Sequence, residues 1–315
     1  MKRKSQSEPM VHLRVLASGV VMLILFNFNQ AYAQVDVIQD SKGETSFENF
    51  QNSLKLNFET SEFSIKGFKV LKSFEDRGEI TFGLGLNLGA SKGKTVLFSD
   101  SELISKGAVS FSLGGRINND QTDADWYPYF TMTRTAKSLN LWDSSDPISL
   151  IEEDVTNQEF QIGVTRTGAE YPIMSAAVNF GRTDNASALE SGTFSSVFTG
   201  NGTILQIDTQ EAIGPASDFD ENVNDFTFLA DLVWVVKRIG IPASVRYYSP
   251  DITGLDPVVK IGSGIFINKS LTESNKFVGG ILFQNTDLFK ANTNDSFFKR
   301  VSITLVVGIP LGDAL

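Results

Sequence analysis

The residues able to do chemistry in this chain are few in kind. Cysteine is absent and the single histidine is His12, near the start. Once the first residues are removed, thiol nucleophiles, histidine-based triads and His/Cys metal sites all lack their groups. Gly89-Ala90-Ser91-Lys92-Gly93 matches G-x-S-x-G, but a nucleophile elbow needs a helix after its strand and a histidine base. The stretch therefore reads as a flexible strand end and loop. Gly93-Lys94-Thr95 resembles a phosphate-loop ending, yet the required first glycine falls on Leu88. Asp218, Asp220, Asn222 and Asn224 alternate as calcium ligands do, with Val223 in place of the loop glycine and Leu229 in place of the bidentate glutamate. An EF-hand is excluded, and a weak divalent-cation loop stands beside a plain solvated acidic loop. Carboxylate pairs are the one catalytic constellation that composition leaves open. The expectation is a protein that is not an enzyme and uses no cofactor.

The elements that would position these residues begin after residue 33. Lys2, Arg3, Lys4 and Arg14 accompany the apolar run 15–26, and Ala31-Tyr32-Ala33 supplies small residues for cleavage. This is a secretory signal, 1–33, with an apolar run too short for a spanning helix. The remaining chain carries 23 basic and 36 acidic residues, a net charge of about −13. Such acidity argues against a nucleic-acid partner. No later apolar run approaches helical membrane length, so any membrane crossing must use strands.

Alternation with period two is the dominant pattern. It is clearest where Ile80, Phe82, Leu84, Leu86 and Leu88 alternate with Thr81, Gly83, Gly85, Asn87 and Gly89. It recurs around Phe111, Ile162, Val178, Phe228 and Ile303. Twelve strands are predicted, over 53–60, 63–73, 79–90, 106–117, 125–136, 157–168, 172–182, 225–237, 241–249, 257–268, 276–285 and 297–309. The even-numbered connections hold roughly three to seven residues and, after the short first, the odd ones roughly seven to 42, the asymmetry of periplasmic turns and outer loops. Proline falls near strand starts, at Pro128, Pro172, Pro242 and Pro257, or in connections and after the last strand.

In its signal, alternating segments, loop asymmetry and aromatics such as Trp126, Tyr127, Tyr129, Tyr247, Tyr248, Phe297 and Phe298 near strand ends, the chain resembles the Gram-negative outer-membrane β-barrels, porin-like in general class. It departs from them at Gly312-Asp313-Ala314-Leu315, where these barrels commonly end in an aromatic. The fold expected is all-β, a transmembrane antiparallel up-and-down barrel of about 12 strands. The order is a signal peptide at 1–33, a short periplasmic segment at 34–52 and the barrel at 53–315. A soluble secreted β-sandwich is the competing fold, disfavoured by strands longer than globular sheets use.

With apolar positions facing lipid, the other parity brings Arg116, Glu159, Asp231, Arg246, Lys260 and Arg300 into the lumen. Glu159, Arg246, Lys260 and Arg300 are expected toward the outer mouth. Arg166 and Arg182 take the lipid parity at strand ends, where they can snorkel. The connection 183–224 carries seven acidic residues and no basic one. Phe194, Val197, Phe198, Ile204, Leu205 and Ile207 suit a short hairpin there, either folded into the mouth as a constriction or standing outside as a flap. The 137–156 connection is also acidic. The expected function is a passive channel for small polar solutes or ions in the outer membrane, reached by export with signal cleavage. The alternatives are a closed structural or surface-interaction barrel and the soluble sandwich. Expected partners are outer-membrane lipid, lipopolysaccharide and the assembly machinery.

Overall fold

The structure is a computed structural model and describes residues 46–47, 50, 53–57, 62–74, 77–89, 106–119, 124–143, 150–168, 172–200, 203–252, 255–268, 277–293 and 296–310. Among them are fourteen strands: β1 (Ser53–Asn57), β2 (Glu62–Phe74), β3 (Gly78–Gly89), β4 (Lys106–Asn119), β5 (Ala124–Trp142), β6 (Leu150–Gly168), β7 (Ile173–Thr183), β8 (Glu190–Gly200), β9 (Thr203–Gly214), β10 (Val223–Val236), β11 (Ile239–Pro250), β12 (Val258–Asn268), β13 (Phe277–Asn285) and β14 (Val301–Pro310).

Twelve of these form the barrel. Every strand in β1 to β7 and β10 to β14 pairs antiparallel with two neighbours. Leu54 opposite Ile309 joins β1 to β14, and Phe111 opposite Met132 joins β4 to β5, so the ring is closed and has no free edge. Strands of about 12 residues, tilted by ~40°, cover on the order of 30 Å, enough for the ~25 Å apolar band of such barrels.

The alternation sorts side chains as expected. Ile80, Phe111, Leu113, Ile162, Phe228 and Ile303 are exposed, while Thr81, Ser112, Thr165, Thr227 and Thr304, on the opposite parity, are buried. Phe160 stacks between Phe130 and Phe180, at 6.2 and 6.1 Å, across the outer faces of β5, β6 and β7. An apolar outer surface this extensive is stable only against lipid or another apolar partner. The tight β2–β3 turn depends on Gly78, whose φ of 144° and closeness to the Arg116 carbonyl leave no room for a side chain.

Two boundaries differ from the sequence expectation, and the long connection carries the hairpin expected of it. β5 and β6 run past the ring and pair with each other up to Trp142 opposite Leu150, so the 137–156 connection is mostly hairpin. The long 183–224 connection contains β8 and β9, joined antiparallel, as its apolar residues suggest. Phe297–Arg300, expected to open the last strand, instead forms a 3-10 turn before β14. In each case ladder pairing, invisible in a single strand's periodicity, decides where a strand starts or stops.

Candidate functional site in the barrel lumen

Strand parity delivers three of the six lumen candidates to buried positions, Asp231, Arg246 and Lys260, and Arg300 is buried at the end of the 3-10 turn. Asp231 on β10 and Arg246 on β11 form an ion pair of 2.8 Å with both side chains at 1% exposure or less. Arg246 also donates to the carbonyls of Ala230 (3.1 Å) and Val245 (3.0 Å). Lys260 lies directly across from Arg246 in the β11–β12 ladder, so two cations share one level of the wall. A buried ion pair needs such further hydrogen bonds to offset its desolvation.

The other candidates lie apart from this group. Arg116, half-buried at the short-turn end of β4, donates from Nε to Asn118 Oδ1 at 2.8 Å. Glu159, also half-buried, sits toward the long-connection end of β6, opposite Gly181. Arg300 is a loop anchor: its Nη1 donates to the Asp287 carbonyl, and its own carbonyl accepts from the Thr286 N–H at 2.8 Å. The Asp287 carboxylate in turn accepts from the N–H groups of Ala291 (2.9 Å) and Asn292 (3.1 Å). Of the two lipid-parity arginines, Arg182 is exposed and Arg166 lies over the Trp126 ring at 5.8 Å.

The lumen also holds a part of the chain expected elsewhere. Of the 34–52 segment, read from the sequence as periplasmic, Ser46, Phe47 and Phe50 are described, and all three lie among inward-facing side chains. Ser46 is 0% exposed. Its N–H donates to Asp231 at 3.3 Å, its hydroxyl donates to the same carboxylate, and its carbonyl accepts from Tyr129 (2.8 Å) and Ser175. Phe47 packs with Ile173, Val233, Phe266, Leu282 and Val306, and Phe50 with Tyr127, Tyr129, Ala177, Leu229 and Phe68. An inward wall with that much apolar surface would be poorly solvated if it lined water, and the two phenylalanines cover it.

Parity alone does not reveal this second core, but a signal for it exists. Leu232-Val233-Trp234-Val235-Val236 and Leu305-Val306-Val307 are apolar on both parities. A strand with lipid outside and water inside has no reason to be.

At the long-connection end, β8–β9 stands beside the protruding β5–β6 hairpin and meets it in one parallel pairing, Leu141 with Ile213. This is the flap arrangement, since Leu141 lies beyond Lys137, the last β5 residue paired with β4. Lys137 bonds Asp184 at 2.7 Å, and Asn157 donates to the same carboxylate at 2.8 Å. Burial alone would raise the Asp184 pKa; Lys137, with Asn157 and the Ala186 N–H, outweighs it and holds the carboxyl below its ordinary value.

The cation-loop candidates do not converge. Asp218, Asp220, Asn222 and Asn224 are all exposed. Asp218 accepts from Ser217 Oγ at 3.0 Å and Asp220 from the Asn222 N–H at 2.8 Å, so the carboxylates serve their own turns. Among the described residues no three His, Cys, Asp or Glu side chains come together as a metal site. The signal segment 1–33, all of the G-x-S-x-G stretch but Gly89, and the last five residues lie outside the described ones.

The chain is similar to three solved structures. These are the translocator domain of autotransporter NalP from Neisseria meningitidis (12% identity, TM-score 0.36, covering 82% of this chain and 84% of that one), the beta domain of the Bordetella autotransporter Brka (9%, 0.30, 82% and 95%) and the siderophore receptor PirA from Acinetobacter baumannii (6%, 0.26, 71% and 32%). No family model and no curated protein matches the sequence. Likenesses this distant assign no activity. The antiparallel up-and-down barrel rests on the chain's own ring of pairings, which is the architecture of the general outer-membrane class.

Proposed function

We propose that this chain is an outer-membrane β-barrel, exported by a cleaved signal peptide, that passes small polar solutes or ions passively when its lumen opens, without a chemical step or cofactor. The observation that carries this reading is the Asp231, Arg246 and Lys260 group on the inner wall of a closed ring whose outer face is apolar. Ionisable groups at membrane depth are costly and mark solute or ion pathways more often than scaffolding. Asp231 is 4% and Arg246 1% exposed, so the pair does not face open water.

That burial favours a second reading, a permanently closed barrel that presents the β5–β6 and β8–β9 hairpins at the cell surface. On either reading the proposed partners are outer-membrane lipid and lipopolysaccharide, with the assembly machinery during biogenesis. Planar-bilayer recording of the refolded mature chain in a salt gradient separates the two. The channel reading expects unitary steps whose ion preference shifts in Lys260→Gln. Inserted, folded protein that stays silent, with or without residues 34–50, sinks it and leaves the closed barrel.

A further inference from the structure

Ser46, Phe47 and Phe50 precede β1, which starts with Ser53 opposite Pro310 at the end of β14. That is the end of the ring carrying the two-residue turn 237–238. Within the lumen, Phe50 lies with Leu229 and Ala177, Phe47 with Val233 and Ile173, and Ser46 bonds Asp231. None of the three residues belongs to a strand. Ser46 hydrogen-bonds the wall through its N–H, carbonyl and hydroxyl, and the two rings supply apolar contact. Phe50 has φ 52°, a left-handed conformation that a phenylalanine rarely adopts. Its seat is built for it: a Cβ on Gly114 would fall 2.0 Å from the Phe50 ring.

Among the described residues, these three have a shaped seat and no ladder pairing with the wall, so they can leave without breaking the barrel. Their departure also leaves the buried charge paired, because Asp231 keeps its bonds to Arg246 when Ser46 goes. We propose that Ser46, Phe47 and Phe50 form a removable plug that shuts the lumen, with Asp231 as its latch and the two phenylalanine rings as its seal. The conducting consequence rests on the channel reading above; the plug itself does not.

The absence of native cysteine gives a clean test. Ser244 faces the lumen at 3% exposure and is paired with Asp231 across the β10–β11 ladder. In the full mature chain carrying Ser244→Cys, a charged, membrane-impermeant thiol reagent should react slowly. Adding Phe47→Ala and Phe50→Ala should speed labelling about tenfold or more, since the rate follows the open fraction. The single variants Phe47→Ala and Phe50→Ala serve where the double variant fails to give a protease-resistant barrel. Unchanged labelling in folded variants overturns the plug, even if wild-type channels are seen. Faster labelling with bilayers that remain silent keeps the plug and removes the channel. Faster labelling together with larger or more frequent steps supports both.

Discussion

The end of the barrel that carries the short turns packs its interior much as a soluble core does, whereas the end with the long connections is held by hydrogen bonds between side chains and loop backbone. At the first, Phe47 and Phe50 meet Ile173, Val233, Phe266 and Leu229. At the second, Asp287 gathers the N–H groups of Ala291 and Asn292, Asn292 exchanges bonds of 2.7 Å with the Asp256 N–H and carbonyl, and Asn185 clips both sides of the Asp184–Asn222 connection. On β10 Asp231 lies between Val233 and Leu229, so the Asp231–Arg246 pair is set within the apolar packing. The difference separates two ways of filling a barrel. Apolar packing responds to volume and is insensitive to pH, while the polar end responds to charge.

Breaking the Asp231–Arg246 pair should cost most. Asp231→Ala leaves Arg246 buried without its anion and Ser46 without its acceptor, a loss of about 3–5 kcal/mol. Urea-induced unfolding in detergent or liposomes checks it. A cost below ~1 kcal/mol would mean that water reaches Arg246 and that the level is not shut.

Within the apolar end, Phe47→Ala should lose about 3 kcal/mol, because a filled site is emptied. Phe298, 86% exposed on the turn before β14, is the control of equal chemistry, and its replacement by alanine should change stability by less than ~0.5 kcal/mol. Equal effects from the two would remove the distinction between seal and surface.

The polar end is probed by acid. Asp184 has a folded pKa below its ordinary value of 3.8. Its contribution to holding the long connection on Lys137 is therefore complete above that value, and is lost as pH falls through the lowered folded pKa. Hydrogen exchange in residues 184–189 should accelerate in that acid window while exchange around Val233 does not. Lys137→Met should bring the faster exchange to neutral pH, a change of roughly 1 kcal/mol in local opening.

How far these regions could be read beforehand follows the same division. The ring was legible because lipid outside and polar groups inside impose strict alternation, and residues such as Phe111, Ser112 and Leu113 report it without any knowledge of partners. Asp231, Arg246 and Lys260 were legible for the same reason. The plug was not: Phe47 and Phe50 sit in a stretch with no periodicity, and their place is set by cavities that exist only once twelve strands have closed. The reach of β5 and β6 beyond the ring was hidden likewise, since Asp154 reads as loop polarity until Ser138 Oγ donates to it at 2.5 Å. Arg300 had the parity of a lumen residue, but it closes the 3-10 turn 297–300 and is a loop anchor.

Calcium should produce the smallest effect of all, and its absence would complete the contrast between the regions. A cation site needs several carboxylates free to converge on one point. Asp218 and Asp220 instead spend their acceptors on Ser217 and on the Asn222 backbone, and Asn185 fixes their main chain by donating to the Asp218 carbonyl at 2.7 Å and accepting from the Asp220 N–H at 2.8 Å. Binding calcium would require giving up those turns for an exposed site in high dielectric, where each charge contact returns little. Millimolar calcium should therefore leave exchange in 184–222 unchanged, whereas Asn185→Ala should speed it by about fivefold, on the order of 1 kcal/mol. A stoichiometric calorimetric signal with sub-millimolar affinity, lost in Asp220→Asn, would show that these carboxylates rearrange around the ion, and that this part of the outer mouth is organised by a ligand rather than by its own backbone.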